Sequence, residues 1–327
     1  MNNNLQDKEE GSILVIVALS ITVLLGMAAL SLDIGSAYLQ ACQLQKAVDA
    51  AVYSVGRQLP VNSNDEEARN KIKDSAISYA ALNGLEGLTR EDVLLEGVVS
   101  GSCTEIKVKA TQTINLNFAR VLGLSTLDFT RSAKAKLSPL SKVSGVAPLG
   151  VKKSELQTRI ENGDLTHVVL KYGAGGGTQS SFGALDLDGQ GGGASDYRLW
   201  LTHGYPGEVC VGDILIEESG NMVGPTYQGF SARYDACTHY DAQIGGEGCT
   251  SEHYDHTCPR IIKVVVYTPG NNKTVTVEGF AAFLLEDQTN DGYITGTFLN
   301  MVAPGTTSGE GLEEASYYGL SNLMLTE

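Results

Sequence analysis

The sequence predicts an α+β protein carried on one long N-terminal helix. Three observations predict it. Residues 12–32 are an unbroken apolar run, a seven-residue apolar repeat continues that run, and strand-like alternation fills much of the remaining chain. The expected order is a leader at 1–11, a transmembrane helix at 12–32 and a helical extension at 33–59. A small α+β unit at 60–142 follows, then a β-rich exported domain at 143–305 and a polar tail at 306–327.

The apolar run, SILVIVALSITVLLGMAALSL, contains no charged residue. At about 1.5 Å per residue it spans roughly 30 Å, the thickness of a bilayer's hydrocarbon core. About a dozen of its residues are Leu, Ile or Val, each favouring insertion by roughly 0.3 to 0.6 kcal/mol at the helix centre. The run is too long, and its leader MNNNLQDKEEG too poor in basic residues, for a cleaved secretory signal. A soluble core helix would show a polar face. Ser12, Ile16, Leu24 and Leu32 mark the expected anchor, in a cell membrane crossed once. A short leader stays inside most simply while the long remainder is exported, so the bulk of the chain is expected to be extracytoplasmic.

Past the run, Ile34, Ala41, Val48 and Val55 form one apolar series and Ala37, Leu44 and Ala51 another, a seam of period 3.5 with no Pro before Pro60. The seam has two possible uses: packing on this protein's own outer domain, or packing on another subunit, including a second copy of the chain. A second helix is expected from a capping box at Ser63 and Glu66 to Gly84, with Ala68, Ile72, Ala76, Tyr79 and Ala80 or Leu82 on one face. Alternation from Ile106 to Phe118 predicts strand, residues 118–124 a helical turn, and 125–137 another strand. Residues 138–148 read as a linker. Apolar runs at 166–172, 208–216, 260–267, 273–285 and 293–302 read as strands, separated by a Gly-rich loop (173–197) and a Cys- and His-rich loop (228–259). The closing LSNLML reads as a frayed terminus or a short docking helix.

Composition narrows the function. A net charge of −15 excludes nucleic acid as a partner and argues against anionic lipid outside the anchor. Six cysteines in an exported chain permit disulfides. Cys210, Cys237, Cys249 and Cys258 are the disulfide candidates, with Cys258 paired to Cys237 or Cys249; spacing does not fix the connectivity. Cys42 is a small seam residue or a cross-link to a second chain. The same loop offers zinc donors in Cys237-x-His239 and His256-x-Cys258, without the CxxC spacing of known zinc sites. No metal or other cofactor is assigned; His239, His253, His256, Asp287 and Asp291 are the weaker metal candidates. Asp287, Thr289, Asp291, Gly292 and Ile294 fall at calcium-loop positions, but Phe298 stands where the bidentate Glu belongs, so a hairpin turn is expected there. Gly173–Gly177 lacks a phosphate-loop continuation, and neither GxSxG nor HExxH occurs.

The block GSILVIVALSITVLLGMAALSLDIGSAYLQACQLQKAVDAAVYSVG resembles the N-terminal segment of TadE/TadG-like proteins of the tight-adherence (Flp) pilus system. The resemblance lies in the apolar run, the step Asp33-Ile34-Gly35, the aromatic Tyr38, and the Gln/Ala-rich helix ending in Asp49-Ala50-Ala51. NFARVLGLSTLDFTRSAKAKL resembles later sequence of the same family. FGALDLDGQGGGASDY, GEVCVGDILIEESGNMVGPT and CPRIIKVVV are similar to a TadG-related subgroup. The resemblance implies a non-catalytic, membrane-anchored component of a pilus assembly or secretion apparatus, a minor pilin-like or anchoring subunit whose partners are the bilayer and other Tad/Flp subunits. A prepilin-type cut after Gly11 would put Ile16 where processed members carry Glu, and the Asp-x-Ser-x-Ser metal motif of other members does not occur. A cell-surface binding or adhesion module, with its Cys/His loop held by disulfide or metal, is the alternative; a membrane-tethered hydrolase is a third, weaker class.

Overall fold

A computed structural model of the chain describes residues 6–171, 182–191, 193–218, 222–240, 246, 248–288, 293–307 and 318–326. Helix α1 (Gln6–Gly56) runs unbroken for 51 residues, through both expected segments. It stops three residues before the expected end. There Gln58 N–H and Leu59 N–H turn back to Val55 O (2.9 Å) and Gly56 O (3.3 Å), tightening the last turn. A two-residue strand β1 (Val61–Asn62) and helix α2 (Glu66–Leu82) follow. The cap of α2 is Asp65, not Ser63: the Asp65 carboxylate accepts from Ala68 N–H at 2.9 Å. Ser63 is occupied elsewhere, its hydroxyl donating to Gly101 O at 2.7 Å. Ile72, Ala76 and Ala80 form the buried stripe, whereas Tyr79 and Leu82 are exposed.

Strands β2 (Val93–Val99) and β3 (Ser102–Asn115) make a hairpin, and the expected turn after it is a 3-10 segment, Ala119–Leu122, closed by Gly123 at φ +86°. Strand β4 (Thr126–Lys152) is the main departure in this region. It continues for 27 residues through the stretch read as a linker. Leu140, Val143, Val146 and Ala147 are buried there, and the Ser and Gly that suggested a linker mark a bulge instead. Gly145 takes φ +72° where the register with the partner strand shifts between Ser144 and Val146.

Beyond β4 come α3 (Lys153–Asn162), β5 (Val168–Lys171), β6 (Phe182–Asp186) and α4 (Gly193–His203), then β7 (Tyr205–Cys210), β8 (Ile214–Glu217) and α5 (Val223–Asp235). The chain finishes with β9 (Ile261–Pro269), β10 (Thr274–Gln288), β11 (Tyr293–Leu299), β12 (Met301–Val302), β13 (Thr306–Thr307) and β14 (Leu320–Thr326). Three helices were not expected here. Helix α4 occupies part of the Gly-rich loop and buries Tyr197, Trp200 and Leu201; α5 enters the Cys/His-rich loop and buries Thr226, Gly229, Phe230 and Arg233. A stripe made of Thr, Gly, Phe and Arg does not read as an apolar face.

In the first half of its length β4 pairs antiparallel with β3 and with β14. In the second half it pairs with β7 and β6, and in parallel with β9. Pairings β4–β6, β6–β8, β8–β10, β10–β9 and β9–β4 return to their starting strand, a small closed ring. Leu185, Leu215, Val265, Tyr267, Val275 and Val277 belong to the core beside it. The antiparallel β10–β11 pair agrees with the expected hairpin, although residues 289–292, including Asp291, lie outside the described residues. The terminus read as frayed or helical is strand β14. Its Leu323 packs on the α1 core, where a Cβ on Gly56 would meet it at 2.5 Å.

Candidate functional site

Helix α1 changes character along its length. Residues 13–32 are exposed at every position but Ala29. The hydroxyls of Ser20, Thr22 and Ser31 donate to the carbonyls of Ile16, Ala18 and Met27 at 2.8, 2.9 and 2.8 Å. These three hydroxyls are thereby satisfied within the helix, as a hydrocarbon environment demands. Ser12 begins this run, and Ile16, Leu24 and Leu32 lie exposed along it.

Further on, one side of α1 enters the core. Leu44, Ala47, Val48, Ala51, Val52 and Val55 recur every three or four residues and pack with Ile72, Ala76 and Ala80 of α2 and with Ile106, Val108, Ala133, Ala135 and Leu137 of the sheet. Four seam positions, Leu44, Val48, Ala51 and Val55, are thus buried within this protein. Ala37 and Ala41 are half-buried, and Ile34 is 62% exposed beside exposed Tyr38 and Leu39. Cys42 is partly buried in the same stretch.

Asp33 stands at the join. It is 2% exposed, and its carboxylate accepts three backbone N–H groups, from Asn117 (2.9 Å), Phe118 (2.8 Å) and Ala119 (2.7 Å). These are the donors left free where the 3-10 segment begins, so Asp33 acts as its cap from a distant helix. In the sequence Asp33 stands out only as part of the Asp33-Ile34-Gly35 step. The signal was there: a carboxylate closing a long apolar run requires several donors before it can be buried. Around this join, Phe118, Val121, Leu124 and Leu127 are exposed, Val121 by 90%.

A second constellation lies where α5 meets β9. The Sγ atoms of Cys237, Cys249 and Cys258 and one ring nitrogen of His239 all fall within 4.8 Å of one another. Cys237 follows the end of α5, where its N–H bonds Tyr234 O at 3.2 Å. Cys258 begins the turn into β9, with Ile261 N–H on Cys258 O at 3.0 Å. Arg233 fastens this corner, donating through Nε to Leu201 O and through Nη1 to Pro259 O (2.7 Å). The three cysteines are buried, and all six in the chain are free thiols. Burial pushes the Cys237 thiol up, but the backbone N–H groups of His239 and Cys249, with the His239 ring and Cys258, outweigh it and bring it down to about 6. Burial pushes Cys258 up to about 12; the Arg260 N–H offsets part of this, while the Cys249 and Cys237 sulfurs add to the rise. Cys258 therefore keeps its proton and donates it to Cys237 across 3.6 Å.

Other residues singled out in the sequence lie outside this group. Cys210 ends β7 on the strand pair with β4. His253 lies against Tyr240 with the rings tilted 40° and their centroids 3.9 Å apart, and His256 meets Tyr254 edge-on at 5.2 Å. Asp287 sits at an irregularity in the β10–β11 register. Sequence spacing suggested His256 as a fourth donor, whereas the fold supplies Cys249.

Residues 11–58 match the family model described as putative Flp pilus-assembly TadE/G-like. No curated protein and no solved structure matches the chain. The matched segment covers the exposed run, Asp33 and the buried half of α1, so the likeness to that family lies in the N-terminal helix.

Proposed function

We propose that the chain is a non-catalytic, single-pass subunit of a Tad/Flp-type pilus assembly or secretion apparatus, of the TadG-related kind, with its bulk outside the membrane. One observation supports this above others: a single unbroken helix is exposed and apolar over 13–32 and is part of the folded core over 44–55. A lipid-embedded rod and an outer domain are then one body, with no hinge between them. Asp33 braces the join. The exposed Phe118, Val121 and Leu124 beside it rest in the bilayer interface, and Arg120 among them reaches headgroups.

Such a subunit transmits position rather than performing chemistry. The uncovered stretch Ile34, Tyr38 and Leu39, just beyond the anchor, is the packing surface for neighbouring subunits. A photo-crosslinker at Leu39 in native membranes is expected to capture other Flp pilus-assembly proteins or a second copy; adducts to lipid alone would contradict the reading. Protease added outside intact cells should digest the chain beyond Asp33, and full protection would contradict the orientation. Val121→Trp fluorescence should be quenched by brominated lipids, while native Trp200, which is buried, stays unquenched.

A further inference from the structure

We infer that Cys237, His239, Cys249 and Cys258 form a structural zinc site. Zinc binds thiolate sulfur at about 2.3 Å and imidazole nitrogen at about 2.0 Å, so tetrahedral ligation sets sulfur–sulfur edges near 3.8 Å and sulfur–nitrogen edges near 3.5 Å. Cys237 Sγ lies 3.6 Å from Cys258 Sγ and 3.9 Å from His239 Nδ1. All four donor atoms fit inside 4.8 Å, the size of one coordination shell. Soft sulfur donors favour zinc over calcium or magnesium, and four protein ligands leave no open position for catalysis.

Two further features support a metal over a disulfide. The sulfurs converge as an odd number, and bonding two of them would strand a buried third beside an imidazole. The surroundings are also those of a metal centre. Asp255 Oδ1 lies 3.8 Å from His239 Nε2, the ring nitrogen facing away from Cys237, and Asp255 N–H reaches Cys249 Sγ at 3.5 Å. At that distance the carboxylate is a neighbour of the second imidazole nitrogen and not yet its hydrogen-bond acceptor; drawn closer, it would orient a metal-bound histidine. The ion would join the end of α5, the loop carrying Cys249 and the start of β9. His239, its side chain one-quarter exposed, gives the route of entry.

The test is metal content of the detergent-purified full-length chain, by elemental analysis and by zinc released to a chromogenic chelator after organomercurial treatment. One zinc per chain is expected. His239→Ala and Cys249→Ser should lose it, while His239→Cys, His253→Ala and Cys210→Ser retain it. Asp255→Ala should weaken affinity about 10–100-fold. Cobalt substitution should give thiolate charge-transfer absorption that changes in His239→Cys, a readout that general misfolding does not produce. Zinc held equally by every variant would overturn the site as adventitious binding. A zinc-free chain, or one whose intact mass shows Cys237 and Cys258 joined as a disulfide that survives Cys249→Ser, would overturn it too.

Discussion

The two halves of α1 are both apolar, yet they face different surroundings. Over 13–32 large aliphatic side chains point in every direction and are exposed; over 44–55 one stripe is buried, and after Leu44 it is made of Ala and Val. Hydrophobicity alone does not separate these cases. What separates them is how the apolar residues are distributed around the helix, and their size. Leu and Ile all round suit lipid, whereas Ala47 and Ala51 beside Ala76 and Ala80 allow two helices and a sheet to approach closely.

A charge placed in each half sharpens the contrast. Val48→Asp buries a carboxylate with no partner and should cost about 4 kcal/mol or more, unfolding the outer domain while leaving the chain in the membrane. Thermal melting and membrane fractionation read the two effects separately. Leu24→Arg should do the reverse. Insertion loses about 3 kcal/mol, so more chain appears unanchored while the melting temperature of the domain holds. If each substitution impaired both properties equally, the division of α1 would be wrong.

Smaller changes probe the join and the far terminus. Leu323→Ala removes the half-buried cover over Gly56 and should destabilise the domain by about 1–2 kcal/mol in denaturant melts, with membrane retention unchanged. No change in the melt would mean that β14 does not brace α1. Asp33→Asn replaces one accepting oxygen with a donor that faces backbone N–H groups. Its effect should be local: faster hydrogen exchange at Asn117, Phe118 and Ala119, with the global melt barely moved. Unaltered exchange there would show that the carboxylate does not hold the segment.

The contrast also explains what the sequence made legible. Both parts of α1 could be read because regular spacing over many turns leaves a periodic trace. The alternation of β3 and the 3-10 turn after it were visible for the same reason. Ser138, Pro139, Ser144, Gly145 and Pro148 resemble a linker, although β4 runs through all of them: Ser138 and Pro139 pair in register with β14, Ser144 and Gly145 make the bulge against β7, and Pro148 falls at a register shift against β9. Helix α5 stayed hidden because Gly229 faces Leu201 and Arg233 turns inward to carbonyls, so its buried stripe is only partly apolar. The Cys/His group was recognised as a cluster but not as this foursome. Its members are brought together by the junction of α5 and β9, and spacing along the chain carries no record of that junction.

Alkaline extraction of membranes, applied to the full-length chain beside a chain of residues 33–327, tests most directly whether one helix serves as both anchor and core. The full-length chain should sediment with the membranes, and the shortened chain should stay in the supernatant with the melting behaviour of the intact domain. A full-length chain released by alkali, or a shortened chain that still sediments with intact bilayers, would contradict the account.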